Sequence, residues 1–359
     1  MTSPLSTAAS SYLRTLQRAF PLGGGGGYPT NPNSAQTALR VQTAATSLAI
    51  VPYPRPLSSE PVSFFSKHCK NDAQSIIENA ILSASSSVFL KIFSLSSEPI
   101  VQDLICKSEE SIPVTIHYQH IPEPIVNKLE EAGAELIRCH RNRRSLLHRK
   151  TMILDEKQVI TGSANFTRNS INNDVNLLAR VNNVHIANLM QKNQKGKAII
   201  ENSTKGKQTV CYLPINHKKC GNERQIVKAI NNATSSIQIG MCILTHRGIL
   251  QALNEAATQR SVLVTIIIDS LESQQTIDIL KALGSKLRVR VGTGDRIHCK
   301  ACILDHNTAI IGSANWAASG LKANKEDIII VNPLTERQRE DLSIWWRYLC
   351  DNSAILPED

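Results

Sequence analysis

The sequence predicts an α/β protein made of two copies of one unit, and three observations lead there. From residue 60 onward, short β-rich runs alternate with stretches of helical apolar spacing. The same succession of residues returns at an offset of 149 to 151 positions. A constellation of six polar and glycine residues at fixed spacing occurs once in each copy.

Residues 1–59 precede the repeat and form the first predicted segment, a flexible leader. It holds Ser, Thr, Ala, Pro, a run of five glycines (Gly23 to Gly27), four arginines and no acidic residue. Too little apolar surface is present to offset the entropy of ordering it. Its acid-free, Arg/Ser-containing character fits an organelle-targeting or export segment, and no continuous apolar run marks an ordinary secretory signal.

The first lobe is assigned to 60–190 and the second to 208–359. Lys67, Cys69, Asn71 and Asp72 return as Lys218, Cys220, Asn222 and Glu223, and Val114-Thr115-Ile116 returns as Val264-Thr265-Ile266. Helical spacing covers Asp72 to Leu82 and its counterpart Glu223 to Ile230. Strands follow at Ser87 to Phe93 and Ser236 to Ile243. Ile100 to Cys106 and Ile249 to Ala256 read as helices, and Val114 to His117 and Val262 to Ile268 as central strands. Helices at Ile125 to Ala132 and Thr276 to Leu283 end at Gly133 and Gly284, since glycine accepts the left-handed conformation that closes a helix. Between the lobes, 191–207 contains five lysines with Gly and Asn and is expected to be a Lys-rich loop or hinge.

Composition narrows the function classes. The chain carries 40 Lys+Arg against 30 Asp+Glu, a formal charge of +10, of which the leader supplies +4. Such a balance suits anionic partners: nucleic acid, an anionic lipid surface or a phosphate ester. No apolar run reaches the ~20 residues a membrane-spanning helix needs, so no integral membrane segment is expected. Nine scattered cysteines suit free thiols in a reducing compartment such as the cytoplasm, unless the leader directs export.

The constellation reads His148-Arg149-Lys150, four residues, Asp155, six residues, Gly162-Ser163-Ala164-Asn165 in the first lobe. In the second it reads His298-Cys299-Lys300, four residues, Asp305, six residues, Gly312-Ser313-Ala314-Asn315. Met152-Ile153-Leu154 and Cys302-Ile303-Leu304 are strand-like, so His and Lys two residues apart share a face. An imidazole beside an ammonium makes a phosphate site: a nucleophile or proton donor next to fixed positive charge. The six intervening residues allow a turn and a returning strand, after which Gly permits close approach and Ser and Asn offer small hydrogen-bonding groups. Two copies facing each other can bring both histidines to one phosphorus, one attacking while the other protonates the leaving oxygen. That is a double displacement requiring no metal and no cofactor.

This duplicated pattern resembles the phospholipase D superfamily, the HKD phosphodiesterases, over roughly residues 62–350. Phe93-Ser94-Leu95-Ser96-Ser97-Glu98-Pro99-Ile100 also resembles the strand-to-helix segment of its compact members, bacterial nucleases and cardiolipin-hydrolase-like enzymes. The resemblance implies two αβα lobes with mixed sheets, related by a pseudo-two-fold, with the active site where they meet and a phosphohistidine intermediate. It implies His148 and His298 as the catalytic pair, with family habit making the first the nucleophile. Lys150, Lys300, Asn165 and Asn315 would hold phosphoryl oxygens, Ser163 and Ser313 would be supporting donors, and Asp155 and Asp305 would act structurally within their lobes. Family members often carry an orienting carboxylate eleven residues beyond the Asn. Glu326 fits that place, whereas the first lobe has Asn176 there and its nearest acid is Asp174.

Cys299-x-x-Cys302 is expected to be two core thiols, because strand alternation sends them to opposite faces. Arg138, His140, Arg141, Arg143 and Arg144, with Arg288, Arg290 and Arg296 in the second copy, form a candidate asymmetric basic rim. Leu342, Trp345, Trp346 and Leu349 have helical spacing and are expected in the core, with peripheral membrane contact as the alternative. The expected activity is hydrolysis of phospholipid headgroups by a two-lobed monomer. The alternatives are an endonuclease using the same histidines and an inactive basic module that binds nucleic acid or membrane.

Overall fold

The computed structural model describes residues 54–139, 145–216, 221–272, 274–282 and 286–356. Most of the leader, the segment 140–144 with its arginines, Lys218, Cys220 and Gly284 lie outside them.

The first lobe is a seven-stranded sheet of β1 (Val62–Phe65), β2 (Val88–Ser94), β3 (Val114–His120), β4 (Glu135–Arg138), β5 (Lys150–Leu154), β6 (Gln158–Gly162) and β7 (Leu178–Asn182). Its order is β1-β7-β6-β5-β2-β3-β4. Helices α1 (Ala73–Leu82), α2 (Glu98–Glu109) and α3 (Glu123–Glu131) provide the crossovers. They lead into parallel pairs at β2/β3 and β3/β4, while the hairpin strands β5 and β6 pair antiparallel. Asp72 caps α1 by accepting from the backbone N–H of Ser75, and Gly133 closes α3 with φ +94°. Two more short helices follow, α4 (Arg168–Asn172) and α5 (Val184–Lys192).

The second lobe repeats the pattern with β8 (Gly196–Glu201), β9 (Lys207–Asn216), β10 (Ser236–Met241), β11 (Leu263–Ile268), β12 (Arg288–Gly292), β13 (Lys300–Leu304), β14 (Thr308–Gly312), β15 (Lys325–Asn332) and β16 (Ser353–Ile355). The order is β16-β12-β11-β10-β13-β14-β15-β9-β8, the first lobe's order with one strand added at each edge. Its helices are α6 (Glu223–Asn232), α7 (Arg247–Gln259), α8 (Gln274–Ala282) and α9 (Glu336–Asp351).

Two expectations are corrected. The segment 191–207 is not simply a loop or hinge: β8 lies within it, paired antiparallel with β9, so the second sheet begins before residue 208. Ala198 and Ile200 face inward while Lys197, Ile199 and Glu201 face solvent, a period-two pattern that the overall lysine content masks. The end of the leader is packed as well. Arg55 is buried, pairs with Glu340 and Asp341 on α9, and its carbonyl accepts from Asn71 Nδ2.

The inner faces of the two sheets share one apolar core, joining Phe64, Ile153 and Val159 to Ala301, Ile311 and Ile329. Leu342, Trp345 and Leu349 of α9 are buried in it, and Trp346 is half-buried against it. Cys299 belongs to this shared core and Cys302 to the outer core of the second lobe, the opposite faces expected of i and i+3 on a strand. The eight described cysteines are free thiols. No helix among the described residues is long and apolar enough to cross a membrane.

Candidate active site

The strands β5 and β13 place the two histidines at the seam between lobes. Each histidine lies two residues before its strand and is fixed by a backbone bond to the other lobe: His148 N–H donates to Lys325 O (3.0 Å) and His298 N–H to Val175 O (3.0 Å). The side chains repeat this exchange. His148 Nδ1 lies 2.9 Å from both carboxylate oxygens of Glu326 on β15. His298 Nδ1 lies 3.2 Å from Asn176 Oδ1 in the segment leading to β7. Every motif histidine is therefore held by a residue of the opposite lobe.

The supporting shell explains the serines. Ser313 Oγ donates to Glu326 Oε2 (2.6 Å) and Ser163 Oγ to Asn176 Oδ1 (2.7 Å), and both hydroxyls are buried. Ser163 and Ser313 thus each spend their hydroxyl on the side chain that orients the opposing histidine. The expectation for Asp174 is corrected. Its carboxylate accepts from Asn169 Nδ2 (3.1 Å), and the partner of His298 is Asn176.

Lys150 and Lys300 are 0% and 2% exposed, and each ammonium donates to the carbonyl of the histidine two residues before it. Burial holds both below the usual lysine range, Lys150 well below it. Phe93 of β2 packs edge-on against His148, with ring centroids 5.0 Å apart, and lies 5.1 Å from Lys150 Nζ. Cys242 holds the corresponding place in the second lobe, next to the pairing of Met241 with Lys300. Asn165 and Asn315 are half-buried, and each has a buried Oδ1 without a hydrogen-bond partner. Among the described residues, no three His, Cys, Asp or Glu side chains converge as a metal-ion site requires.

Burial lowers both histidines below the usual imidazole range. His148 is moved down mainly by burial, opposed by the Glu326 charge. His298 goes well below, because burial is reinforced by Lys300, Lys150, His148 and Arg296.

The motif aspartates lie away from the histidines at the hairpin turns. Asp155 and Glu156 both have positive φ in the three-residue link between β5 and β6, and Asp305 and His306 repeat this between β13 and β14. Asp155 accepts from the backbone N–H groups of Ser85, Ser86 and Ser87, and Asp305 from Thr234, Ser235 and Ser236. Partial burial pushes both carboxyls up, but these donors together outweigh it and hold them far below the usual range. The rim is also redrawn: Arg138, Arg288 and Arg296 are exposed, but Arg290 is tied to Ser353 and the Cys350 carbonyl behind α9.

Sequence reasoning missed Arg149 and Asp327. Arg149 Nε donates to Asp327 Oδ1 (2.9 Å), forming a buried ion pair between lobes directly beside His148 and Glu326. The middle position of His-x-Lys, Arg in one copy and Cys in the other, was the available signal.

A family model described as "Cardiolipin synthase, PLD-like domain" matches residues 77–196 and again 226–340. The chain belongs to this phospholipase D-like family. Its two lobes are two such domains, and membership makes it an enzyme of phosphodiester chemistry. Among curated proteins, the mitochondrial cardiolipin hydrolase of Drosophila melanogaster is 28% identical over 175 residues, 41% of this chain and 68% of that protein. Two solved structures share the fold. The phosphatidylserine synthase of Haemophilus influenzae has a TM-score of 0.64 at 11% identity, covering 82% of this chain and 87% of its own. The polyphosphate kinase of Porphyromonas gingivalis has 0.58 at 12%, covering 83% and 52%.

Proposed function

We propose that this phospholipase D-like protein hydrolyses the headgroup ester of phospholipids, with a cardiolipin-like lipid as substrate, through a phosphohistidine intermediate. The observation that carries the reading is the crossed support of the two histidines: each ring is engaged through Nδ1, which leaves Nε2 for the phosphorus and its leaving oxygen. Lys150 and Lys300 supply positive charge for the non-bridging oxygens, and Asn165 and Asn315 lie at the same strand ends. The two histidines divide attack and protonation between them, so the chemistry needs only side chains of this chain. The name of the fly relative supports the lipid class.

The test is a substrate panel in EDTA: labelled cardiolipin, phosphatidylcholine, single-stranded DNA and duplex DNA, with wild type, His148→Ala and His298→Ala. Turnover of lipid by wild type and of nothing by either variant is expected. Cleavage of DNA alone would make the enzyme a nuclease, and no turnover of any substrate would leave the basic binding module. Loss of activity in EDTA would refute the metal-free step. Adding ethanol tests the covalent intermediate, since an alcohol that replaces water in the second step returns phosphatidylethanol.

A further inference from the structure

Each motif histidine ends a short backbone segment that bridges the seam, 146–148 in the first lobe and 296–298 in the second. Leu147 forms an isolated parallel bridge with Lys325, and Ile297 forms one with Val175. Around Leu147, Lys325 N–H donates to Leu146 O (2.8 Å) and His148 N–H to Lys325 O (3.0 Å). Around Ile297, Val175 N–H donates to Arg296 O (2.7 Å) and His298 N–H to Val175 O (3.0 Å). In a parallel bridge of this kind the middle residue's own N–H points away from the partner strand, back toward its own lobe.

Among the described residues, no strand stands there to receive it. The pairing of β5 with β2 and of β13 with β10 starts further along, with Phe93 N–H on Arg149 O (2.9 Å) and Cys242 N–H on Cys299 O (3.1 Å). Beyond Ser94 and Met241 the chain leaves the sheets toward α2 and α7. The orders β5-β2-β3 and β13-β10-β11 therefore leave a gap one strand wide beside Leu147 and beside Ile297. A side chain from the next strand spans each gap. Gln119, near the end of β3, accepts the Leu147 N–H on Oε1 (3.0 Å). Asp269, directly after β11, accepts the Ile297 N–H on Oδ2 (2.8 Å). Gln119 and Asp269 are 150 residues apart, as are Leu147 and Ile297 and the two histidines, so both copies keep an acceptor at this place and differ only in its chemistry.

We propose that Gln119 and Asp269 are positioning residues, each tying the backbone ahead of its histidine to its own lobe, so that together they set the separation of the two rings across the seam. This rests on the function proposed above. The ring and the N–H of each histidine are bonded to the opposite lobe. A tie to the own lobe one residue away opposes that pull, and the histidine is held between the two. Asp269 also closes its own loop, because Oδ1 accepts the Leu271 N–H (3.0 Å) and the side chain is buried. Gln119 is half-buried and is the cleaner probe.

Gln119→Met keeps the length of the side chain and removes the acceptor, whereas Gln119→Glu keeps an acceptor oxygen. With whichever ester of the lipid and DNA panel turns over, Gln119→Met is expected to lower kcat by about 10–10²-fold and leave KM within about twofold, since a histidine and not the substrate contacts has shifted. Gln119→Glu should recover most of that loss. Asp269→Leu should resemble Gln119→Met, and Asp269→Asn, with one oxygen for two N–H donors, should fall between it and wild type. Should Asp269→Leu fail to fold, Gln119→Met and Asp269→Asn carry the test.

Amide hydrogen exchange followed by NMR gives a reading independent of turnover. Leu147 in Gln119→Met and Ile297 in Asp269→Asn should lose protection while the amides of β5 and β13 keep theirs. Unchanged kcat in Gln119→Met, a rise in KM alone, or equal losses in Gln119→Met and Gln119→Glu would overturn the proposal. Leu147 and Ile297 amides that exchange freely in wild type would overturn it whatever the substrate. Wild type inert toward every ester of the panel, with both amides protected, would instead refute the proposed function.

Discussion

Replacing Asp327 with asparagine tests how the lobes are locked around the site. Asp327 is 2% and Arg149 3% exposed, on β15 of the second lobe and just before β5 of the first. Besides Arg149 Nε at 2.9 Å, the carboxylate accepts from Tyr212 OH (2.7 Å) and Thr151 Oγ1 (2.6 Å). The guanidinium also donates to Ile215 O (3.3 Å) and Asn216 Oδ1 (2.5 Å). The substituted amide would be the same size but neutral, and it would bring an N–H₂ group to a place where three donors converge. One donor loses its acceptor and the Arg149 charge its counter-ion, at a cost of about 3–5 kcal/mol. Urea unfolding of wild type, Asp327→Asn, Arg149→Met and the pair Arg149→Met/Asp327→Asn measures this. Each single variant should lose that amount, and the pair should lose clearly less than their sum, because no buried charge is left alone. A loss below about 1 kcal/mol in Asp327→Asn, or strict additivity in the pair, would refute the argument.

Three further outcomes are expected. Gly162→Ala and Gly312→Ala should destabilise by about 3 kcal/mol or more in thermal melts, since a methyl would drive into the Leu177 carbonyl in one lobe and the Asp327 carbonyl in the other. Asp155 and Asp305 are depressed in the folded state, so their stabilisation is fully present above about pH 4, their unfolded value, and is lost as pH falls below it. The stability gap between wild type and Asp155→Asn/Asp305→Asn, measured by urea melts, should therefore be widest at pH 7 and shrink at about pH 2.5. Fragments 60–190 and 191–359 should each be inactive as monomers in the lipid assay, because each lacks the residue that holds its own histidine.

The architecture was legible because it is written twice. The strand–helix alternation and the motif spacing depend on local patterning, and the second copy confirmed where each element of the first begins. The Asp155 and Asp305 turns were legible for the same reason. Glu326 was found by its spacing, but the lobe it serves was not, since eleven residues along the chain say nothing about which histidine lies across the seam. Asn176 stood at the matching position and looked like a defect, with Asp174 as the substitute. Only the bond to His298 shows that the amide itself takes the place. β8 was hidden by the lysines of the segment around it, and Arg149 by sitting between two residues that drew attention to the motif's face rather than to its back.

The divergence between copies is concentrated around the histidines. Glu326 faces Asn176 in the repeat alignment, Asp327 faces Leu177, Arg149 faces Cys299 and Phe93 faces Cys242. The His148 side thus holds a carboxylate, a buried ion pair and an aromatic ring, whereas the His298 side holds an amide, a leucine and thiols. Two identical coupled histidines would share one proton between equivalent arrangements, and only one of those arrangements suits a substrate bound in a given direction. Unequal partners make those two arrangements unequal in energy. The two copies thus keep the motif in common and part company at four positions that touch or support its histidines.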